Sequence, residues 1–172
     1  MALLPYKKIM PTIGENVFIA ENAAVIGDCE IGEQSNIWFG CTVRGDVHEI
    51  RIGKRTNIQD NSVIHTTRKV SGTYIGDEVT VGHGAILHAC TLGNQSFVGM
   101  GAIVLDEARL EDGAMLAAGA MLTPGKIVPT GQLWSGSPAR YMRDLTEEEV
   151  AFLAASADNY VRLAADYMGS GN

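Results

Sequence analysis

Aromatic residues are scarce in this chain, 6% of 172 positions, and the cysteines number only three. So few rings leave a core that must be built from branched aliphatics. Cys29, Cys41 and Cys90 show no CxxC spacing, which argues against both a disulfide framework and a cysteine zinc cluster. They are expected as reduced core residues. No basic run exceeds a doublet such as Lys7 and Lys8, and the formal charge of −7 has the wrong sign for neutralising phosphates, so nucleic acid is not an expected partner. No stretch approaches the roughly 18 apolar residues of a membrane span. The opening MALLPYKKIMPTIG lacks the apolar segment a secretory signal carries after its basic residues. A cytoplasmic location away from membranes is the expectation. With 46% apolar residues, the chain is long enough for one core, and a single domain over 1–172 is expected.

What the chain does have is a repeat. Aliphatic residues recur every sixth position as Ile13, Ile19, Val25, Ile31, Ile37 and Val43, then Ile52, Ile58 and Ile64, then Ile75, Val81 and Leu87. Leu92, Val98, Val104, Leu110, Leu116, Leu122 and Val128 continue the step without interruption. Four places after most of them sits a small residue, as at Ala23, Cys29, Ser35, Cys41, Ser62, Ala85, Ala102 and Ala120. Glycine often follows the aliphatic directly, where a bare backbone suits a corner. A six-residue period fits neither a heptad nor a lone strand, but it fits a parallel β-helix with three short strands in each coil. The aliphatics then point inward and stack at roughly 4.8 Å per coil.

Breaks in the period mark loops. Val43 to Ile52 carries three extra residues near Asp46–Glu49, Ile64 to Ile75 carries five around Thr67–Gly72, and a step of five falls between Val81 and Leu92. All three lie close to histidines, and loops on a rigid scaffold are where sites are built. The β-helix is expected over about 11–135. A closing segment then leads to a helix over about 146–168, opened by the capping-box pair Thr146 and Glu149. Val150, Leu153, Ala154, Ala157, Tyr160, Val161, Ala164 and Tyr167 make its apolar face, expected to cover the prism.

Position within the coil points to a metal. His65 follows Ile64, His88 follows Leu87, and His83 lies two places after Val81. Three strands separate Ile64 from Leu87, so His65 and His88 share a face on successive coils, about one strand spacing apart. Two imidazoles can then share one cation. Catalytic zinc commonly takes three protein ligands and a water. His83 is around a corner of the triangle, so a neighbouring prism, rather than the same one, could present it as the third. Imidazole also suits Fe2+ or Co2+. Arg44 falls in the column of His65 and His88, and Asp60 in that of His83, so the same subunit contact would bring the two together as an interface ion pair. Gln59, beside Asp60, is expected at the pocket mouth, and His48 is read as an ordinary histidine.

The segments VRGDVHEIRIGKRTNIQDNSVIH and VGHGAILHACTLG resemble the signature stretches of the γ-class carbonic anhydrase family, and the resemblance covers nearly the whole chain. It implies an all-β, single-domain, left-handed parallel β-helix with a C-terminal α-helix, assembled as a homotrimer with Zn2+ between subunits. It further implies His65, His83 and His88 as ligands, Arg44, Asp46 and Asp60 as an interface charge network, and Asn57 and Gln59 as polar groups beside bound water. Tyr160 is carried over as a residue of the helix near the pocket. The activity implied is reversible hydration of CO2 to bicarbonate. One departure stands out: the loop after His65 reads TTRKVSG and has no acid for proton transfer. The competing readings are a hexapeptide-repeat acyltransferase using a histidine as general base, a metal-dependent thioesterase, and a catalytically weak metal-binding assembly module.

Overall fold

A computed structural model of the chain describes residues 2–169. The six-residue repeat folds into a β-solenoid of about seven turns, followed by one C-terminal helix. Strands of successive coils pair in parallel, and the columns written in the sequence are the register of those pairs. Val25 lies beside Val43, Val43 beside Ile64, Ile64 beside Leu87, Leu87 beside Val104, and Val104 beside Leu122. Each of these side chains is 0% exposed. Burying one such aliphatic stabilises the fold by about 1.5–3 kcal/mol, so the stack supplies a core that owes nothing to any bound ion. Cys29, Cys41 and Cys90 are buried in it, and burial pushes the Cys90 thiol up to about 12.

Two faces of the prism merge into one sheet because Ala24–Ile31 and Thr42–Ile52 run through the corner between them. Their register jumps there. Gly27 pairs with Gly45, but Cys29 pairs with Ile50, so Asp46–Glu49 bulges out at the expected insertion. Gly45 permits the close approach, since a Cβ on it would sit 2.4 Å from the Asp28 carbonyl oxygen. The third face carries Asn36–Ile37, Asn57–Ile58, Thr80–Val81, Phe97–Val98 and Met115–Leu116. It ends with Gln132–Gly136, which turns back against Ala139–Asp144 as an antiparallel pair.

The helix Glu147–Gly169 packs along this third face. Its capping box forms: Thr146 Oγ1 accepts from the Glu149 N–H at 3.2 Å, and the Glu149 carboxylate accepts from the Thr146 N–H at 3.0 Å. The expected apolar stripe is only partly the buried one. Leu153, Ser156, Ala157 and Ala164 are buried, whereas Ala154 is exposed and Val150 and Tyr167 are about half exposed, at 51% and 50%. A flat solenoid face touches a helix along a narrower strip than a bundle would, and Ser156 earns its inward place by a hydrogen bond with Thr80 at 2.9 Å. Among the described residues, no helix is long and apolar enough to cross a membrane.

Candidate functional site

The strands Val63–His65 and Ile86–His88 are neighbours, and their register sets His88 directly beside His65. Because successive residues alternate in direction, buried Ile64 and Leu87 force both histidines outward. Their rings tilt toward each other, leaving His65 Nδ1 3.3 Å from His88 Nε2. Each far nitrogen is taken by a carboxylate. His65 Nε2 donates to Asp46 at 3.1 Å, and His88 Nδ1 donates to Asp106 at 2.7 Å. A neutral imidazole has one N–H and one lone pair, so with both N–H groups directed to aspartates, the two facing nitrogens each present a lone pair.

The spacing tests whether a metal fits. Two Zn–N bonds of about 2.0–2.1 Å at a tetrahedral angle span about 3.3–3.4 Å, which matches the gap between the histidines. Carboxylates behind the ligating rings are the usual outer support of such a site, fixing the tautomer and raising ligand basicity. The donor set therefore fits a divalent metal, with two ligands from this chain.

Asp46 reaches His65 from the corner bulge and also accepts from Arg44 at 2.7 Å. Burial would raise its carboxyl, but the hydrogen bonds from Arg44 and His65 outweigh this and hold it below the ordinary range. Within one chain, Arg44 thus pairs with Asp46, its neighbour on the same strand, while Asp60 pairs with His83. Asp106 was absent from the expected set. It lies on the next coil, where the register that sets Leu87 beside Val104 puts Asp106 one place past the column of His88, so counting along that column does not reach it. Burial acts on Asp106 as on Asp46, and the hydrogen bonds from Thr67 and His88 again bring its carboxyl below the ordinary value.

His83 stands on another face. Its Nδ1 lies 2.9 Å from an Asp60 carboxylate oxygen, its side chain is 46% exposed, and among the described residues no three His, Cys, Asp or Glu side chains converge as a metal cage. His83 and Gln59 border a mainly apolar groove of about 350 Å³ with Phe97, Met100 and Leu133. Gln59 is more buried than a residue at a pocket mouth, at 6% exposure, because its amide is drawn inward to donate to Asn57 at 3.0 Å. Asn57 in turn donates to Thr80 at 2.9 Å. Thr80 meets Ser156 of the helix, so the cover is tied to the groove by a chain of buried hydrogen bonds. Tyr160 sits edge-on to Trp38 with ring centroids 5.6 Å apart. Burial, then the charge of Asp60, raises its hydroxyl above the ordinary value. His48 pairs with Glu49 at 2.5 Å.

Comparison with known proteins adds a second line of evidence. The family model "Bacterial transferase hexapeptide (six repeats)" matches residues 10–45. The chain is 48% identical over 159 residues to "Gamma carbonic anhydrase 2, mitochondrial" of Arabidopsis thaliana, covering 90% of this chain and 57% of that one. It therefore spans little more than half the length of that plant relative. A "Carbonic anhydrase" of Geobacillus kaustophilus is 45% identical over 159 residues, with 92% of this chain and 87% of that one covered. Among solved structures, a "hexapeptide transferase family protein from Anaplasma phagocytophilum" superposes with a TM-score of 0.94 at 53% identity, over 96% of this chain and 98% of that one.

Proposed function

Because the chain belongs to the γ-class carbonic anhydrase family, we propose that it catalyses the reversible hydration of CO2 to bicarbonate at a Zn2+ site shared between subunits of a homotrimer. His65 and His88 of one subunit and His83 of the next are the ligands in this reading. The observation that carries it is the facing pair of histidine nitrogens, 3.3 Å apart, with their far nitrogens within hydrogen-bonding distance of Asp46 and Asp106. His83 supports the intersubunit arrangement, since it is half-exposed and on a different face from the pair.

When bound, the metal would supply Lewis acidity, enough to lower the pKa of a coordinated water to about 7. The chain's own residues do the rest. The apolar wall of Phe97, Met100 and Leu133 beside His83 suits CO2, which has no net dipole to satisfy. Gln59, locked by Asn57, presents a fixed amide for orienting the attacking oxygen toward carbon. Arg44 and Asp46 brace His65 while leaving Arg44 41% exposed for a neighbouring subunit. Tyr160, wedged against Trp38, holds the helix beside Asp60 and is assigned to packing. With no carboxylate in TTRKVSG, the proton released in each cycle passes to water or buffer.

The test is CO2 hydration by zinc-loaded protein of measured metal content, with His65→Ala as control. Equal rates for the two would refute the enzyme reading. A thermal shift with coenzyme A, without stoichiometric metal, would support the transferase reading instead. Stoichiometric zinc without turnover would leave a metal-binding assembly module.

A further inference from the structure

Asp106 does not behave like the other corner residues of the solenoid. Asp77, Asn94 and Asp112 form a ladder in which each side-chain oxygen accepts a backbone N–H from the coil before it: Lys54 at 2.8 Å, Asp77 at 2.8 Å and Asn94 at 2.7 Å. Those contacts hold successive turns together. Asp106 spends both carboxylate oxygens on side chains instead, Oδ1 on His88 Nδ1 at 2.7 Å and Oδ2 on the Thr67 hydroxyl, which donates to it. Its own corner is held by backbone alone, the Gly125 N–H donating to the Asp106 carbonyl at 3.0 Å. The carboxylate is therefore free of structural duty in the turn.

Thr67 gives the contact its second end. It opens the five-residue insertion, whose base is closed by the Thr67–Ser71 bridge and whose tip, Arg68–Val70, is exposed. The same hydroxyl also lies 3.5 Å from His88 Nδ1. A strand histidine, a carboxylate one coil away and the root of a surface loop thus meet at one point.

We propose that Asp106 is a positioning residue for His88, holding Nδ1 as the N–H so that Nε2 keeps its lone pair toward His65, and that Thr67 ties the insertion loop to this setting. The proposal rests on the metal reading above. Without the carboxylate the His88 ring loses its preference between tautomers, and in the other one Nε2 carries a proton and cannot ligate. The loop's attachment then becomes an adjustable part of the site's affinity.

The experiment compares wild type, Asp106→Asn and Thr67→Val. Zinc affinity is measured by competition with a chromophoric chelator, and the His88 tautomer in metal-free protein by nitrogen NMR at a pH well above the histidine range. Asn can either accept from or donate to the ring, so Asp106→Asn is expected to weaken zinc about 10–100-fold and to convert a single Nδ1–H form into a mixture. Thr67→Val should shift both readouts in the same direction by less. Unchanged affinity or an unchanged tautomer in Asp106→Asn overturns the proposal. If that variant fails to fold, Thr67→Val decides, a shift supporting the positioning role and no shift overturning it. Failure of the wild type to bind zinc would sink the metal reading, while the tautomer comparison would still decide the role of Asp106.

Discussion

His65 and His88 face each other across adjacent coils with 3.3 Å between Nδ1 and Nε2, a separation set by parallel register and matched to two sides of a tetrahedral metal. Everything else at the site is arranged around that gap. The aspartates sit behind the rings, His83 is on another face, and the solenoid core beneath is a stack of buried aliphatics.

A shared site can be exposed by mixing. His83→Ala and His65→Ala variants should each be inactive alone. Refolded together at equal amounts, they form junctions in which an intact His65–His88 pair meets an intact His83 at about one in four interfaces, by random choice around a closed ring. Metal content and activity should return to about a quarter of wild type. A mixture as dead as its parents would mean that all three ligands come from one chain.

Removing the metal should leave the fold standing. Chelator is expected to abolish CO2 hydration while far-ultraviolet circular dichroism keeps its β signal, because Val43, Ile64, Leu87 and Val104 are buried whether or not an ion is present. A modest fall in melting temperature is expected from lost ligand linkage. Collapse of the β signal would show that the ion is part of the core's stability.

Truncation in the stack should be costly where it lies beneath the site. Leu87→Ala removes a 0% exposed side chain and is expected to destabilise the fold by about 2–5 kcal/mol. Leu163→Ala, at a 42% exposed helix position, should cost less than about 0.5 kcal/mol. Urea denaturation of both variants checks the ranking, and similar midpoints would contradict the packing account.

Acid should weaken the cap of the helix. The hydrogen bond from Arg143, then that from the Thr146 N–H, hold the Glu149 carboxyl down at about 2 against an ordinary 4.5. A depressed folded-state value means that the contribution is fully present above 4.5 and is lost as pH falls from there toward about 2. Melting temperatures of wild type and Glu149→Gln should therefore differ at neutral pH and converge in that acid window. A constant gap across the window would remove the cap from the account.

The sequence by itself determined the solenoid, the loop positions and the pairing of His65 with His88. All three follow from one-dimensional spacing: an inward aliphatic every six residues dictates which residues stack and where extra ones must loop out. It determined far less about side-chain partners at the corners. Whether Arg44 turns to Asp46, whether Asp60 turns to His83, and whether the carboxylate behind His88 is Asp106 depend on rotamers and on which coils meet at a corner. The helix shows the same limit, since its apolar stripe named Val150 and Ala154 but the solenoid face accepted Ser156, where Thr80 offered a partner. Spacing along the chain decides backbone register, but only the packed coils decide which polar groups come within hydrogen-bonding reach, because that depends on distances between residues far apart in sequence.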